Sequence, residues 1–170
     1  IYDVIQNNAM DIHLVDTPMF KLNKFGPSQV SKIIKRCFDI VFALLFIIIT
    51  SPIWAVVAIA IKTNDRGPVF YKQVRLTQYG KPFEILKFRS MKMNAEKDGK
   101  AQLAKENDNR ITSVGKVIRA CRFDELPQLL NILKGDMSII GPRPLLIEYL
   151  PLYNEKQKNR HDVRPGLSGL

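Results

Sequence analysis

The longest stretch without a charged residue runs from Ile40 to Ile61, bounded by Asp39 and Lys62 and interrupted by Ser51-Pro52. At about 1.5 Å per helical residue the whole run matches a hydrocarbon core of roughly 30 Å. Divided at Pro52, Ile40–Thr50 covers only about 16 Å and Ile53–Ile61 about 13 Å, so neither half spans by itself. Proline removes a backbone donor and crowds the preceding turn, and the Ser51 hydroxyl is placed to satisfy a carbonyl freed in this way. Two topologies fit: a kinked single span, or a helix that enters one leaflet, bends at Ser51-Pro52 and returns. Lys32, Lys35 and Arg36 precede the run, and Lys62, Arg66, Lys72 and Arg75 follow it. Basic residues mark the cytoplasmic side of a span, and basic flanks at both ends favour the re-entrant form.

Elsewhere the pattern changes character. A helix is predicted to start at Lys32 with Ser31 as its N-cap and to run into the apolar segment, with Arg36 and Asp39 on one face at the membrane boundary. Upstream, Ile12-His13-Leu14-Val15 reads as a short strand and Phe25-Gly26-Pro27-Ser28 as a turn. Val69–Arg75 and Pro82–Phe88, joined by Gln78-Tyr79-Gly80-Lys81, predict a hairpin that puts Lys87 and Arg89 on one side. Asn94–Asn109 is polar without an apolar stripe, which suggests a surface loop or short helix. Val114–Ala120 and Asp124–Lys134 read as helices, the second ending before Gly135. Gly141-Pro142-Arg143-Pro144 cannot be helical, and Leu145–Lys158 reads as an amphipathic helix whose Leu145, Leu146, Ile147, Leu150 and Leu152 offer an apolar face to the core or to an interface.

Composition narrows the partners. The 170 residues are 46% hydrophobic and carry a formal net charge of +10. A chain with this charge and a lipid-embedded run suits headgroups and phosphorylated substrates better than nucleic acid, for which no aromatic-interleaved basic patch or known module is present. Cys37 and Cys121 have no metal-type spacing and read as reduced cytosolic thiols. The apolar run lies too far along the chain and is too long for a signal peptide. A start at Ile1 and a stop just after a Pro-Gly turn suggest a piece of a longer protein.

The densest chemistry lies in Arg119-Ala120-Cys121-Arg122-Phe123-Asp124-Glu125-Leu126-Pro127. By local rules Asp124 is an N-cap, with Glu125 and Pro127 in the first turn. The same geometry allows a different use. A carboxylate beside arginines at a helix start can attack phosphorus while cations and amides stabilise the phosphoryl oxygens. An adjacent carboxylate suits Mg²⁺, which takes one or two carboxylates plus substrate phosphates. Walker A, dinucleotide-binding, zinc-protease, nucleophile-elbow and kinase motifs are absent from the chain. With only His13 and His161, a histidine metal cluster is not expected, and His161 reads as solvated or near a phosphate.

Six motifs occur in order: Lys35-Arg36-Cys37-Phe38-Asp39, Gly67-Pro68-Val69-Phe70, Lys87-Phe88-Arg89-Ser90-Met91, Asp124-Glu125-Leu126-Pro127-Gln128, Gly141-Pro142-Arg143-Pro144 and Val163-Arg164-Pro165-Gly166. Together they resemble the bacterial sugar transferases, the monotopic polyprenyl-phosphate phosphoglycosyl transferases, over about Lys32 to Leu170. The resemblance implies a two-step reaction. A UDP-sugar loses UMP to an aspartate, and polyprenyl phosphate, usually undecaprenyl phosphate, then takes the sugar-1-phosphate from the covalent intermediate. By motif, Asp124 is the nucleophile and Glu125 the Mg²⁺ partner. Ser51-Pro52 is the break of a re-entrant helix. Lys87, Arg119, Arg143 and Arg164 fall at phosphate- or nucleotide-binding positions, with Arg89 and Arg122 in reserve. The family domain continues past the Pro-Gly motif, and larger members carry modules before it.

The expected fold is therefore α+β and mainly helical, with a membrane re-entrant helix-break-helix, a small β-hairpin and amphipathic surface helices. Residues 1–30 are an extension or the end of an upstream module, 31–66 the membrane helix and 67–170 the cytosolic catalytic region. The implied location is the cytoplasmic face of a bacterial inner membrane, where the enzyme starts surface glycoconjugate synthesis, and a homodimer is compatible. A membrane-anchored basic adaptor is the non-catalytic alternative. An aspartate phosphatase fits less well, because no second aspartate stands two residues after Asp124.

Overall fold

A computed structural model of the chain describes residues 9–14, 17–22, 28–93, 95 and 108–169. The chain divides into two compact units, Ile1–Arg36 and Cys37–Leu170. In the first, strands β1 (Ala9–Leu14) and β2 (Thr17–Leu22) form an antiparallel hairpin, pairing Ala9 with Leu22 and Leu14 with Thr17. The strand expected at 12–15 lies in β1 as far as Leu14. Residue 15, most of the turn expected at 25–28 and most of the polar stretch 94–109 lie outside the described residues.

Helix α1 covers Gln29–Asp65. It starts three residues earlier than expected, because Ser28 rather than Ser31 is the cap: the Ser31 amide donates to Ser28 Oγ at 3.1 Å. The helix also continues through Pro52 instead of breaking there. Pro52 cannot donate to the Ile48 carbonyl, and Ser51 Oγ donates to that carbonyl in its place at 2.8 Å. Thr50 Oγ1 donates to the Phe46 carbonyl at 2.6 Å and accepts from Trp54 Nε1 at 3.1 Å, so side-chain hydroxyls bridge the proline turn. By length and composition α1 is apolar enough to cross a membrane.

Within the larger unit one face of α1 packs inward on both sides of Pro52. Before it, Ala43 joins Phe83, Ile85, Leu129, Ile132 and Met137 in one core cluster, with Ile47 against it. After it, Val57 and Ile61 join Phe88 and Ile118 in a second, flanked by Ile53, Trp54 and Phe123. Leu126 touches both clusters, so the segment bearing Asp124 and Glu125 is seated where they meet. The opposite face of α1, including Val41, Ile48, Ile49, Val56 and Ile59, is exposed. Asp39 is not a boundary surface residue. Its side chain is buried and accepts from Ser138 Oγ at 2.8 Å and from the Ile139 amide at 3.2 Å.

Strands β3 (Phe70–Leu76) and β4 (Pro82–Phe88) form the expected hairpin, with Phe70 opposite Phe88 and Leu76 opposite Pro82. Helix α2 (Ser113–Ala120) is capped by Thr112, whose side chain accepts from the Gly115 amide. Helix α3 is shorter than expected, Gln128–Lys134, and ends on Gly135 at φ 100°. Its buried Asn131 takes the Leu86 amide at 2.9 Å and donates to the Glu84 carbonyl at 2.8 Å, completing the free edge of β4 as another strand would. Strands β5 (Ser138–Ile140) and β6 (Gly166–Ser168) pair in parallel. The amphipathic helix expected at 145–158 is divided: a 3-10 segment, Ile147–Leu152, contains Pro151, and Asn154 opens a new helix α4 (Glu155–Lys158) with a capping box. Proline removes a helical donor and asparagine supplies a fresh start, so the apolar period crosses two elements.

Candidate active site

Arg122 stands between α2 and the next turn in the left-handed region, at φ 56°. It redirects the chain into a single 3-10 turn, Phe123–Glu125, before α3. The capping role expected of Asp124 is therefore not taken up. Neither the turn nor α3 has a side-chain cap, and the residue before α3 is Pro127. Phe123 and Leu126 anchor the turn in the core, and the two carboxylates between them face different clefts.

Asp124 lines a cleft of about 630 Å³ with Lys87, Arg119, Ser90 and residues of β3. Glu125 lines a small cleft of about 40 Å³ with Lys87, Arg143, Gln128 and Pro144. Glu125 Oε1 lies 3.5 Å from Lys87 Nζ and 3.6 Å from an Arg143 guanidinium nitrogen. Arg119 Nε donates to Ser90 Oγ at 2.8 Å, which holds its guanidinium on the large cleft. Burial raises the Asp124 carboxyl above its ordinary range; Lys87 pulls it down, Glu125 pushes it up and Arg119 pulls it down. A carboxylate so placed is more basic than one in water, and flanking cations keep its anion accessible.

Five of the sequence-derived site residues thus come together: Asp124, Glu125, Lys87, Arg119 and Arg143. Arg164 lines neither cleft. Its carbonyl abuts Gly141, where a Cβ would collide with it, and Gly166 leaves the same kind of room for the Gly141 backbone. The Val163-Arg164-Pro165-Gly166 motif therefore fixes the loop that presents Arg143. Ser51 and Pro52 lie on α1 and line neither cleft. Of the reserves, Arg122 shapes the turn, and Arg89 is buried against Asp65 at 3.2 Å. The Arg89 guanidinium fills the space that a Cβ on Gly67 would take. His161 is only partly solvated. It is half-buried against Tyr153, with ring centroids 5.7 Å apart, and burial, then Arg160, lowers its pKa.

Sequence reasoning missed Arg75, which lines both clefts. A signal was present. Arg75 lies opposite Phe83 in the hairpin, and Phe83 is core, so period two puts a guanidinium on the inward-facing phase of a strand.

A metal requires only part of this set. Among the described residues no group of three or more His, Cys, Asp or Glu side chains is gathered. Mg²⁺ completed by phosphate oxygens and water needs one or two carboxylates, and Glu125 uses only Oε1 in its two long ion contacts. The residues fit such an ion.

A family model described as bacterial sugar transferase matches residues 30–170. The chain belongs to the bacterial sugar transferase family. Among its sugar transferase relatives, a Bacillus subtilis sugar transferase is 48% identical over 81% of this chain and 66% of its own length. The UDP-glucose:undecaprenyl-phosphate glucose-1-phosphate transferase of Klebsiella pneumoniae is 39% identical over 99% of this chain and 36% of its own. The Aeromonas hydrophila UDP-N-acetylgalactosamine-undecaprenyl-phosphate N-acetylgalactosaminephosphotransferase is 45% identical over 88% and 36%. The chain thus spans from about a third to about two thirds of the length of these sugar transferases. Both clefts, Asp124 and every cation around them lie inside the matched sugar transferase region.

Proposed function

We propose that this chain transfers a sugar-1-phosphate from a UDP-sugar to undecaprenyl phosphate through an aspartyl intermediate on Asp124. One observation carries the reading: in a sugar transferase, a half-buried carboxylate that caps no helix sits beside Lys87 and Arg119 on the larger cleft. The names of the relatives support the substrates, since they specify UDP-sugars and undecaprenyl phosphate.

In the first step an Asp124 oxygen bonds to the β-phosphorus of the donor. The bond from that phosphorus to the bridging oxygen breaks, and UMP leaves with the electron pair. In the second step a phosphate oxygen of the lipid bonds to the same phosphorus and the Asp124 carboxylate departs, giving a polyprenyl diphosphosugar. Lys87 and Arg119 hold phosphoryl oxygens around Asp124 and offset the repulsion between two anions. Glu125 would hold Mg²⁺, which would supply further neutralisation of the diphosphate. Arg143 reaches the phosphates from the opposite loop, and Arg164 contributes through that loop. A carboxylate kept from full hydration is a stronger nucleophile, which suits its raised pKa.

The membrane arrangement belongs to the same proposal. The globular core grips α1 at Asp39, Ala43 and Ile47 and again at Ile53, Val57 and Ile61. A span through both leaflets would keep about 20 residues in hydrocarbon, away from such a body. A shallow helix with its exposed face in one leaflet and both ends on the cytoplasmic side lets the site meet a lipid phosphate at headgroup level. On this reading the enzyme works on the cytoplasmic face of a bacterial inner membrane.

The test is incubation of the protein in detergent with UDP-sugars and Mg²⁺, followed by intact-protein mass and UMP assay. A sugar-phosphate adduct lost in Asp124→Asn is expected. UMP release at the wild-type rate by that variant would sink the nucleophile assignment. Labelling of cysteines introduced near Lys32 and Lys62 should reach both from the cytoplasmic side; one end alone would restore a single span.

A further inference from the structure

Arg75 is half-buried, and its hydrogen bonds go only to neutral groups. Its Nε and one terminal nitrogen donate to Gln73 Oε1 at 3.2 and 2.6 Å, and its other terminal nitrogen donates to the Pro144 carbonyl at 3.4 Å. No carboxylate is within ion-pair distance of it among the described residues, unlike Lys72 with Glu84, Lys87 with Glu125 and Arg89 with Asp65. Its surroundings lower its pKa, burial first; Tyr71 opposes and nearby Arg143 adds to the lowering. A guanidinium withdrawn from water without a counter-charge is unfavourable unless an anion arrives.

The position of Arg75 indicates where the anion binds. Arg75 and Lys87 line both clefts, while Arg143 and Glu125 line only the small one and Asp124 and Arg119 only the large one. Three cations against one carboxylate line this small cleft of about 40 Å³, an excess of positive charge that suits a phosphoryl group. Gln73 and Pro144 fix the plane of the guanidinium, so it meets phosphate oxygens pre-oriented.

We propose that Arg75 holds a terminal phosphate of a substrate or product, in a subsite shared with Lys87 and Arg143 next to the reacting phosphorus. This rests on the sugar-phosphate transfer described above. Two molecules of that reaction present such a group, the departing UMP and the incoming lipid phosphate.

The experiment uses the chain in detergent with UMP as a calorimetric probe on Asp124→Asn, and KM values for UDP-sugar and for polyprenyl phosphate with Asp124 intact. If the nucleotide phosphate is the occupant, Arg75→Gln weakens UMP about 10- to 100-fold and raises the UDP-sugar KM, leaving the acceptor KM unchanged. If the lipid phosphate is the occupant, the acceptor KM rises by a similar factor and UMP affinity is unmoved. Either result supports the proposal. A folded Arg75→Gln protein with all three values unchanged overturns it.

Gln73→Glu separates anion binding from a structural strut. That variant keeps the shape and both hydrogen bonds but supplies the missing carboxylate. Its unfolding temperature should hold or rise while ligand affinity falls as in Arg75→Gln. Wild-type affinity in Gln73→Glu would make Arg75 a strut and end the proposal. A wild-type chain that binds UMP yet forms no adduct would defeat the transfer reaction while leaving the Arg75 site standing.

Discussion

Two cations two residues apart at the end of one strand have opposite fates. Arg89 is buried against Asp65, fills the space left by Gly67 and lies 3.1 Å from the Met93 sulfur. Lys87 is half-exposed, 3.5 Å from Glu125, and lines two clefts with Arg75 and Asp124. The first group is closed by its own partners and holds α1 to the hairpin. The second is left under-neutralised, with Arg75 lacking a carboxylate among the described residues and Asp124 raised by burial. Charges that satisfy one another serve the fold, and those left incomplete are available to a substrate.

The sharpest way to break this comparison is Asp124→Asn. Adduct formation and UMP release should fall by on the order of 10³-fold or more, as for loss of a nucleophile. Stability should move the other way. A carboxyl with a raised folded pKa favours the protonated form, so it detracts from stability once pH rises through that value. Asp124→Asn should therefore melt at or above the wild-type temperature near neutrality, and the difference should vanish in acid, where the wild-type carboxyl is protonated. A lower melting temperature at pH 7 would contradict the burial argument.

Next in size is the closed group. Arg89→Ala leaves Asp65 without its cation in a tight place and should lose about 3 kcal/mol in denaturant unfolding. Gly67→Ala should cost less, because the new methyl falls on the Arg89 guanidinium, the far end of a side chain that can shift. If Arg89→Ala instead lowered activity with stability intact, the assignment of Arg89 to the fold would fail.

Lys87→Met sharpens the other side. It removes the strongest influence lowering Asp124, so that carboxyl rises further and the acid limb of the kcat/KM profile moves to higher pH. The loss at the optimum should be about tenfold, from the missing charge-assisted contact. An unmoved acid limb would mean that Asp124 does not govern it. The smallest effect belongs to an exposed pair: Lys72→Ala, which breaks the contact with Glu84, should change stability by less than about 0.5 kcal/mol.

Much of the fold was legible in local pattern. The β3–β4 hairpin, α2 and the Gly135 stop followed from alternation, a short apolar period and a residue able to adopt positive φ. Capping rules misplaced Asp124, because they assume that the helix begins where its carboxylate lies. Arg122 instead turns left-handed, and the core contacts of Phe123 and Leu126 hold a 3-10 turn there. The same local logic overlooked Pro151 and Asn154 inside an apolar period. For α1 the expected role of the Ser51 hydroxyl is found, and by filling the gap it keeps the helix continuous.

By itself the sequence determined the chemistry on offer: a long apolar run interrupted by Ser51-Pro52, adjacent carboxylates, abundant guanidinium groups and motifs that share a family. Only the tertiary structure decided which cations are paired with a carboxylate among the described residues and which are not. Arg75, Arg89 and Arg119 are alike as residues, and each could pair, pack or wait. Distances between residues remote along the chain sort them, since ion pairing and desolvation depend on separation and burial in space, which no local pattern encodes.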